Sequence, residues 1–172
     1  MTLDDYFMHL ALDQARQAFE KKEIPVGAIA VYNNQVIGRG HNCKETTHNP
    51  IAHAEMLALQ EAAHSRGGWR LIDVTLYCTL EPCPMCAGAM VQARLPRLVY
   101  AVDDPKAGAA GSVVNLLQHP AFNHQVQIVR GVLQAQAEIL LADFFSRLRD
   151  GTIPRHSKTW RRRKLAKNAE PE

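Results

Sequence analysis

Residues 74–102 read VTLYCTLEPCPMCAGAMVQARLPRLVYAV, and this stretch decides the fold class. The apolar run from Val74 to Leu80 predicts a strand, and the residues from Pro84 to about Ala93 have helical spacing after a proline-rich turn. The run from Leu98 to Val102 predicts a second strand. Strands that alternate with helices are typical of an α/β domain, so we expect a sheet with helices on both faces.

The flanking segments continue this alternation. A helix is predicted over about 3–21, where Thr2 and Asp5 can form a capping box. Residues 26–32 and 35–38 predict two antiparallel strands around a tight Asn33-Asn34 turn. Because this first pair is a hairpin, the sheet should be mixed. The other predicted elements are a loop over 39–51, a helix over 52–64, a loop over 103–112, a short helix over 113–118, a strand over 126–129 and a helix over 133–149.

Length and composition indicate one domain. The chain has 172 residues, 47% of them hydrophobic, which is near the usual size of a single domain. No run approaches the roughly 20 apolar residues that span a bilayer, and the acidic start from Met1 to Asp5 is unlike a secretion signal, so we expect a cytoplasmic protein without a membrane segment. Residues 1–146 carry a net charge of −3 and residues 147–172 one of +6. Such a basic end indicates either a surface for a polyanion such as nucleic acid or a solvated tail.

Two short motifs contain side chains that bind metals. His53-Ala54-Glu55 begins one predicted helix, and Pro82-Cys83-Pro84-Met85-Cys86 begins the next. Zinc accepts imidazole nitrogen and thiolate sulfur, and two cysteines three residues apart at a helix start lie on one face. One histidine and two cysteines make three ligands, the number that catalytic zinc sites use when they leave a position for water.

The other two cysteines have simpler interpretations. Cys78 is in phase with Leu76 and Leu80 on its predicted strand, so we expect it in the core. Cys43 stands alone in a polar loop and is interpreted as incidental.

Glu55 is the candidate proton carrier. Zinc would bring the pKa of a bound water towards about 7, and a carboxylate can then accept and return protons. Each motif alone also has another explanation, since a His-x-Glu turn can be a capped helix start and a Cys-x-x-Cys can be a redox pair. Side chains two apart on a regular helix diverge, so His53 and Glu55 can flank one metal only at a helix end.

The two motifs, in this order and about thirty residues apart with a strand between them, resemble those of the zinc-dependent cytidine and adenosine deaminases. Within that superfamily the chain is most similar to the bacterial tRNA-specific adenosine deaminases, from about Asp4 to Arg149. The matching stretches are Ile24-Pro25-Val26-Gly27-Ala28, Gly40-His41-Asn42, Ala52-His53-Ala54-Glu55, Leu76-Tyr77, Thr79-Leu80-Glu81-Pro82-Cys83, Cys86-Ala87-Gly88-Ala89-Met90, Gly108-Ala109-Ala110-Gly111-Ser112 and Asp143-Phe144-Phe145.

This resemblance implies a three-layer cytidine deaminase-like fold over residues 1–150, with a central five-stranded mixed sheet between helices. It implies hydrolytic conversion of adenosine to inosine at the wobble position of a tRNA anticodon stem-loop, by a homodimer with one Zn²⁺ per subunit. His53, Cys83 and Cys86 would hold the metal, zinc-bound hydroxide would attack C6, and Glu55 would shuttle the proton.

The resemblance also implies substrate contacts. Asn42 matches an asparagine in the family's substrate pocket, and Val26 matches an apolar residue that forms a wall beside the base. Ala54 lies between His53 and Glu55 in the matched motif. The expected RNA contacts are Asp104 and Lys106, in a loop near the anticodon backbone, and Phe144, Phe145 and Arg147, on the last helix.

The basic tail over 151–172 is longer and more basic than the family pattern requires. We hypothesise that it adds phosphate contacts, with Trp160 available for stacking.

Two other functions fit part of the sequence. The substrate could instead be a free base or nucleoside of the guanine or cytosine type. A noncatalytic zinc module that only binds RNA would need Cys78 to close a four-ligand site. The basic tail and the Asp143-Phe144-Phe145 segment favour a polymeric substrate.

Overall fold

The computed structural model describes residues 1–154, so the basic tail from Arg155 onwards, with Trp160, lies outside the described residues. The elements are α1 (Leu3–Glu20), β1 (Gly27–Tyr32), β2 (Gln35–His41), α2 (Lys44–Thr47), α3 (Ala54–Arg66), β3 (Thr75–Leu80), α4 (Pro84–Gln92), β4 (Arg97–Val102), β5 (Gln127–Arg130) and α5 (Gln134–Asp150). Within residues 1–154, no helix has both the length and the apolar character needed to cross a bilayer.

The strands form one five-stranded mixed sheet in the order β2-β1-β3-β4-β5. Strand β1 is antiparallel to both β2 and β3, whereas β3, β4 and β5 are parallel to one another. The parallel pair β3 and β4 needs a crossover, which α4 supplies. The predicted mixed sheet is therefore confirmed.

Side chains that alternate along the strands produce two separate cores. On one face Ile29, Tyr77 and Val99 pack in a cluster with Phe7 and Met8 of α1 and with residues of α5. On the other face, neighbouring strand residues pack against α3 and α4. Because successive strand residues point to opposite faces, the sheet is covered on both sides, which confirms the predicted three layers.

The local predictions at the start of the chain are confirmed. Thr2 and Asp5 form a capping box at the start of α1. Asn33 and Asn34 both have positive φ angles, 47° and 59°, as a two-residue hairpin turn requires.

Three predictions of local structure were wrong. Strand β2 continues to His41 instead of ending at 38, because Gly40 and His41 pair with β1 although their side chains are small or polar. Residues 113–118 form no helix: the N–H groups of Val113 and Val114 both donate to the carbonyl of Gly108, at 3.0 and 3.2 Å, and not to the residues four positions earlier as in an α-helix. The predicted loop over 39–51 also contains the single helical turn α2.

Helix α3 lies unusually close to the sheet at Gly40. A Cβ atom on Gly40 would collide with the carbonyl oxygen of Ala54, in the first turn of α3, and would lie 2.8 Å from the nitrogen of Ala58. The missing side chain thus allows α3 to approach the sheet at the end that carries Glu55.

We predict that Gly40→Ala destabilises the protein by about 1–3 kcal/mol, because backbone atoms cannot move away from an added methyl as side chains can. Urea denaturation followed by circular dichroism measures the change. Gly68→Ala is the matched control, since a Cβ there meets no atom within 4 Å. Equal denaturation midpoints for the two variants would contradict the tight contact at Gly40.

Candidate active site

Two helix starts converge at one end of the sheet. His53 is the N-cap of α3 and has extended backbone angles (φ −83°, ψ 152°). Cys83 is the N-cap of α4, and Cys86 lies in the first turn of the same helix. Side chains two residues apart diverge on a regular helix. His53 lies just before the regular part of α3, so His53 and Glu55 can both face one site.

The three predicted ligands form a nearly equilateral triangle. The Nδ1 atom of His53 lies 3.7 Å from each sulfur, and the Sγ atoms of Cys83 and Cys86 are also 3.7 Å apart. Tetrahedral zinc with ordinary bond lengths would place two sulfurs about 3.8 Å apart and a sulfur and a nitrogen about 3.6 Å apart. The triangle therefore fits one zinc ion. Within residues 1–154 it is the one such cluster of three or more potential ligands.

Cys78 does not belong to this cluster. It is fully buried, and its thiol donates a hydrogen bond to the carbonyl oxygen of Leu80 at 3.0 Å. Burial raises the pKa of Cys78 well above its ordinary value, so this sulfur stays a protonated thiol. The core position predicted for Cys78 is confirmed, and the four-ligand module that needed it is contradicted.

The electrostatics of the cluster favour a bound cation. The hydrogen bond with Cys86, together with the smaller effect of His53, lowers the pKa of Cys83 to about 3. The same bond between the sulfurs, together with burial, raises the pKa of Cys86. The hydrogen bond with Cys83 raises the pKa of His53. One thiolate is thus already present, and a metal that binds all three groups would displace the remaining protons.

Glu55 lies beside the three ligands. It is the second residue of α3, and its side chain is buried, with 4% exposure. Burial raises the pKa of Glu55 to about 7, and the charges of His53 and Cys83 both act on it. A carboxyl group with a pKa near neutrality populates both protonation states, as a proton carrier requires.

Val26 and Asn42 are brought together next to this centre. The backbone N–H of Asn42 donates to the carbonyl of Val26 at 2.9 Å, and the N–H of Cys43 donates to the carbonyl of Ala52 at 3.2 Å. These bonds connect the end of β2 to the residue before His53. Val26, Asn42 and Ala54 are all buried, so three predicted pocket residues lie around the first turn of α3.

Glu23 is a site residue that the sequence analysis missed. It is 1% exposed, and its carboxylate accepts hydrogen bonds from the backbone N–H of Thr46 at 2.6 Å and from the Thr46 hydroxyl at 2.9 Å. The Nδ2 atom of Asn42 also donates to it, at 3.5 Å. Glu23 therefore orients the amide of Asn42 and leaves the Oδ1 atom of Asn42 free to accept. The signal that could have identified Glu23 is its position directly before residues 24–28, a stretch that matches the family.

Asp104 and Lys106 lie in the loop after β4. The carboxylate of Asp104 accepts from the backbone N–H groups of Lys106, at 2.9 Å, and Ala107, at 3.2 Å. The side chain of Lys106 is exposed. The structure thus gives Asp104 a turn-forming role and leaves Lys106 accessible to a ligand.

The three residues predicted on the last helix occupy different environments. Phe144 is 2% exposed and packs edge-on against Phe19, with ring centroids 5.6 Å apart. It has no free face for a base, which corrects its assignment as an RNA contact. Phe145 is 38% exposed. Arg147 is also exposed, forms an ion pair with Asp143 at 2.8 Å, and lies over the Phe19 ring. Since Phe19 is the penultimate residue of α1, the C-terminal half of α5 packs against the end of α1.

The chain is similar over most of its length to known deaminases. Residues 2–149 match the family model described as MafB19-like deaminase. The tRNA-specific adenosine deaminase of Bacillus subtilis is 49% identical over 149 residues, which is 87% of this chain and 92% of the relative. That of Aquifex aeolicus is 42% identical over 87% of this chain and 98% of the relative.

Solved structures agree with these relatives. A structure from work on A-to-I editing by tRNA:A34 deaminases at the wobble position is 39% identical, with a TM-score of 0.76, and covers 79% of this chain and 99% of that chain. A guanine deaminase from Nitrosomonas europaea has a TM-score of 0.72 at 21% identity, covers 83% of this chain and 84% of its own, and shares the fold.

The chain therefore has the cytidine deaminase-like fold and is a member of a deaminase family. Within that class it belongs to the tRNA-specific adenosine deaminases.

We predict that Cys86→Ser lowers zinc affinity by at least about 100-fold. Even substitution of a residue that only hydrogen-bonds to a ligand lowers metal affinity by about 10–100-fold, and loss of a ligand should cost more. Metal content after dialysis against a chelator, measured by mass spectrometry, tests this. Cys78→Ala is the matched control and should keep one zinc per chain. Equal zinc loss in both variants would contradict a three-ligand site.

Proposed function

We propose that this chain is a zinc-dependent deaminase that converts adenosine to inosine at the wobble position of a tRNA anticodon. The observation that carries the proposal is the triangle of His53, Cys83 and Cys86 with the buried carboxyl group of Glu55 beside it. The names of the relatives at 42–49% identity support the tRNA substrate. A tRNA substrate agrees with the cytoplasmic location expected from the sequence.

His53, Cys83 and Cys86 would hold the zinc ion, and three protein ligands leave one tetrahedral position free. When bound, zinc supplies a Lewis acid that brings the pKa of a water molecule to about 7. In the reaction, the water oxygen bonds to C6 of adenine, the bond from C6 to the amino nitrogen breaks, and ammonia leaves.

Glu55 moves the protons in this scheme. Its carboxylate accepts a proton from the attacking water and donates it to the ring nitrogen of adenine. The second proton of that water, then on the C6 hydroxyl, passes through the same carboxylate to the amino nitrogen, so that ammonia can leave. A group that performs this task must lie beside the metal without being one of its ligands. Glu55 fits because it lies next to His53 and Cys83 and outside the triangle.

The residues around the first turn of α3 would hold the base. Val26 offers a small apolar surface, and the Oδ1 atom of Asn42, oriented by Glu23, offers a hydrogen-bond acceptor. Ala54 is fully buried, so its side chain supports the pocket from the core. Lys106 and Arg147 offer positive charge for phosphates, and Phe145 offers a partly exposed ring for a splayed base. Phe144 would support Phe145 from the core.

We predict that the zinc-loaded protein forms inosine on an anticodon stem-loop that carries adenosine at the wobble position. We expect little or no product from free adenosine, cytidine or guanine, because these lack the phosphates and neighbouring bases. Product analysis by liquid chromatography and mass spectrometry measures inosine, uridine and xanthine. Efficient turnover of a free base with none on the stem-loop would identify the alternative function.

Glu55→Ala serves as the control for this assay. It should lower the rate of inosine formation by at least about 100-fold, the usual contribution of a general acid–base group. Zinc content should stay at one ion per chain, since Glu55 is not a ligand. Deamination that persisted in this variant would exclude Glu55 as the proton carrier.

We also propose that the protein is a homodimer, as the family resemblance implies. An open groove of about 430 Å³ lies between α3 and α4 and is lined by apolar side chains that include Ile51, Met56 and Trp69. Ile51 and Trp69 are 54% and 58% exposed, and an exposed apolar patch of this kind commonly marks an interface. Because the groove includes Ala52, a second subunit placed there would lie next to His53.

For the dimer we predict that Trp69→Asp raises the dissociation constant by at least about 10-fold, because a buried aromatic anchor contributes strongly to an interface. Sedimentation equilibrium measures this constant. Ile72→Asp is the control, since Ile72 is 57% exposed but does not line the groove. A wild-type protein that stays monomeric at micromolar concentration would overturn the proposal.

A further inference from the structure

The carboxylate of Glu81 is the centre of a hydrogen-bond cluster that the deamination scheme does not use. Glu81 follows β3 directly, lies two residues before Cys83 and is 2% exposed. Its backbone N–H donates to Val102 at 2.8 Å, which continues the pairing of β3 with β4. The side chain is thereby directed from the start of α4 towards the loop that follows β4.

Four donors from that loop surround the carboxylate. Its Oε2 atom accepts from the backbone N–H of Asp104 at 2.8 Å and from the hydroxyl of Ser112. Its Oε1 atom accepts from the backbone N–H groups of Ala110 at 2.9 Å and Ser112 at 3.0 Å. A single side chain therefore satisfies three buried or partly buried backbone donors along residues 104–112, a segment without regular secondary structure.

The loop is shaped around this group. A Cβ on Gly108 would collide with the Glu81 carboxylate, so only glycine fits there. The N–H of Ala109 donates to the carbonyl of Pro82 at 2.8 Å, beside the first zinc-ligand candidate of α4. Although burial alone would raise the pKa of Glu81, the hydrogen bonds from Ser112, Asp104 and Ala110 lower it below its ordinary value. The group is thus a carboxylate at neutral pH.

We propose that Glu81 is a positioning residue that holds the 104–112 loop against the start of α4 and so sets where Lys106 meets the substrate. The chain of contacts runs from Glu81 to the backbone of Asp104, and from the Asp104 carboxylate to the backbone of Lys106. The same carboxylate joins this loop to the helix that carries Cys83 and Cys86. Correct placement of the RNA backbone relative to the reacting base would depend on that connection.

The closing experiment compares Glu81→Gln with wild type in the full-length, zinc-loaded protein. Glutamine keeps the size of the side chain but replaces one acceptor oxygen with an NH₂ group. This NH₂ group would face the N–H donors of the loop, and it cannot accept hydrogen bonds from them. We expect amide hydrogen exchange at residues 104–112 to accelerate by about 10-fold or more, while exchange in β1 and β3 and the zinc content stay unchanged. This arm requires no knowledge of the substrate.

The second arm rests on the proposed function and uses the anticodon stem-loop. We expect Glu81→Gln to raise KM by about 10-fold with kcat changed less than about 3-fold, because the loop affects binding and not the chemical step. Ser112→Ala, which removes one of the four donors, should give a smaller effect in the same direction. Glu61→Gln is the matched control, since that exposed carboxylate accepts one backbone hydrogen bond, from Arg39, away from the site.

Unchanged exchange over 104–112 in Glu81→Gln would overturn the proposal. Loss of zinc, or a fall in kcat with constant KM, would also overturn it, because Glu81 would then act through Cys83 and not through the loop. Failure of the proposed function is recognised separately, since the wild-type protein would then form no inosine on the stem-loop.

Discussion

The convergence of two helix N-termini at one end of the sheet is the constraint on which the site depends. His53 and Cys83 are both N-cap residues with extended backbone, so their side chains project from the ends of α3 and α4 towards each other. The sheet determines how far apart these ends lie, because α4 follows β3 directly and α3 packs on β1 and β2. Gly40 refines this distance by allowing the first turn of α3 to contact the strand backbone. A triangle with sides of 3.7 Å is therefore a property of the whole layered fold.

Three buried carboxyl groups organise the surroundings of this triangle, each in a different way. Glu55 lies beside the three predicted ligands, and burial raises its pKa to about 7 although hydrogen bonds to the carboxyl group oppose this. Glu81 is surrounded by donors, so it stays charged and holds a loop. Glu23 contacts Asn42 and Thr46, and it connects the pocket to α2. The balance between burial and hydrogen bonding therefore distinguishes Glu55, which can exchange protons, from Glu81, which provides structure.

The contact between α5 and α1 places a core residue and surface residues next to each other in the sequence. Phe144 and Phe145 are neighbours in sequence, yet only Phe145 has an exposed face, because Phe144 packs into the contact between α5 and α1. Arg147 is one turn from Asp143 and lies over Phe19. A family pattern that names this segment as a unit cannot distinguish these roles, since each depends on the angle at which α5 crosses α1.

The alternation of strands and helices, the Asn33-Asn34 hairpin, the core position of Cys78 and the three ligand types could all be predicted from the sequence, because each follows from local spacing or from side-chain chemistry. The extent of β2 could not, since Gly40 and His41 are in a strand only because β1 pairs with them. The absence of a helix at 113–118 and the roles of Glu23 and Glu81 likewise required the tertiary structure. The hydrogen bonds of Glu23 and Glu81 join residues about 20 to 30 positions apart in the chain, and no local pattern records a contact that exists only after the sheet and its helices have packed together.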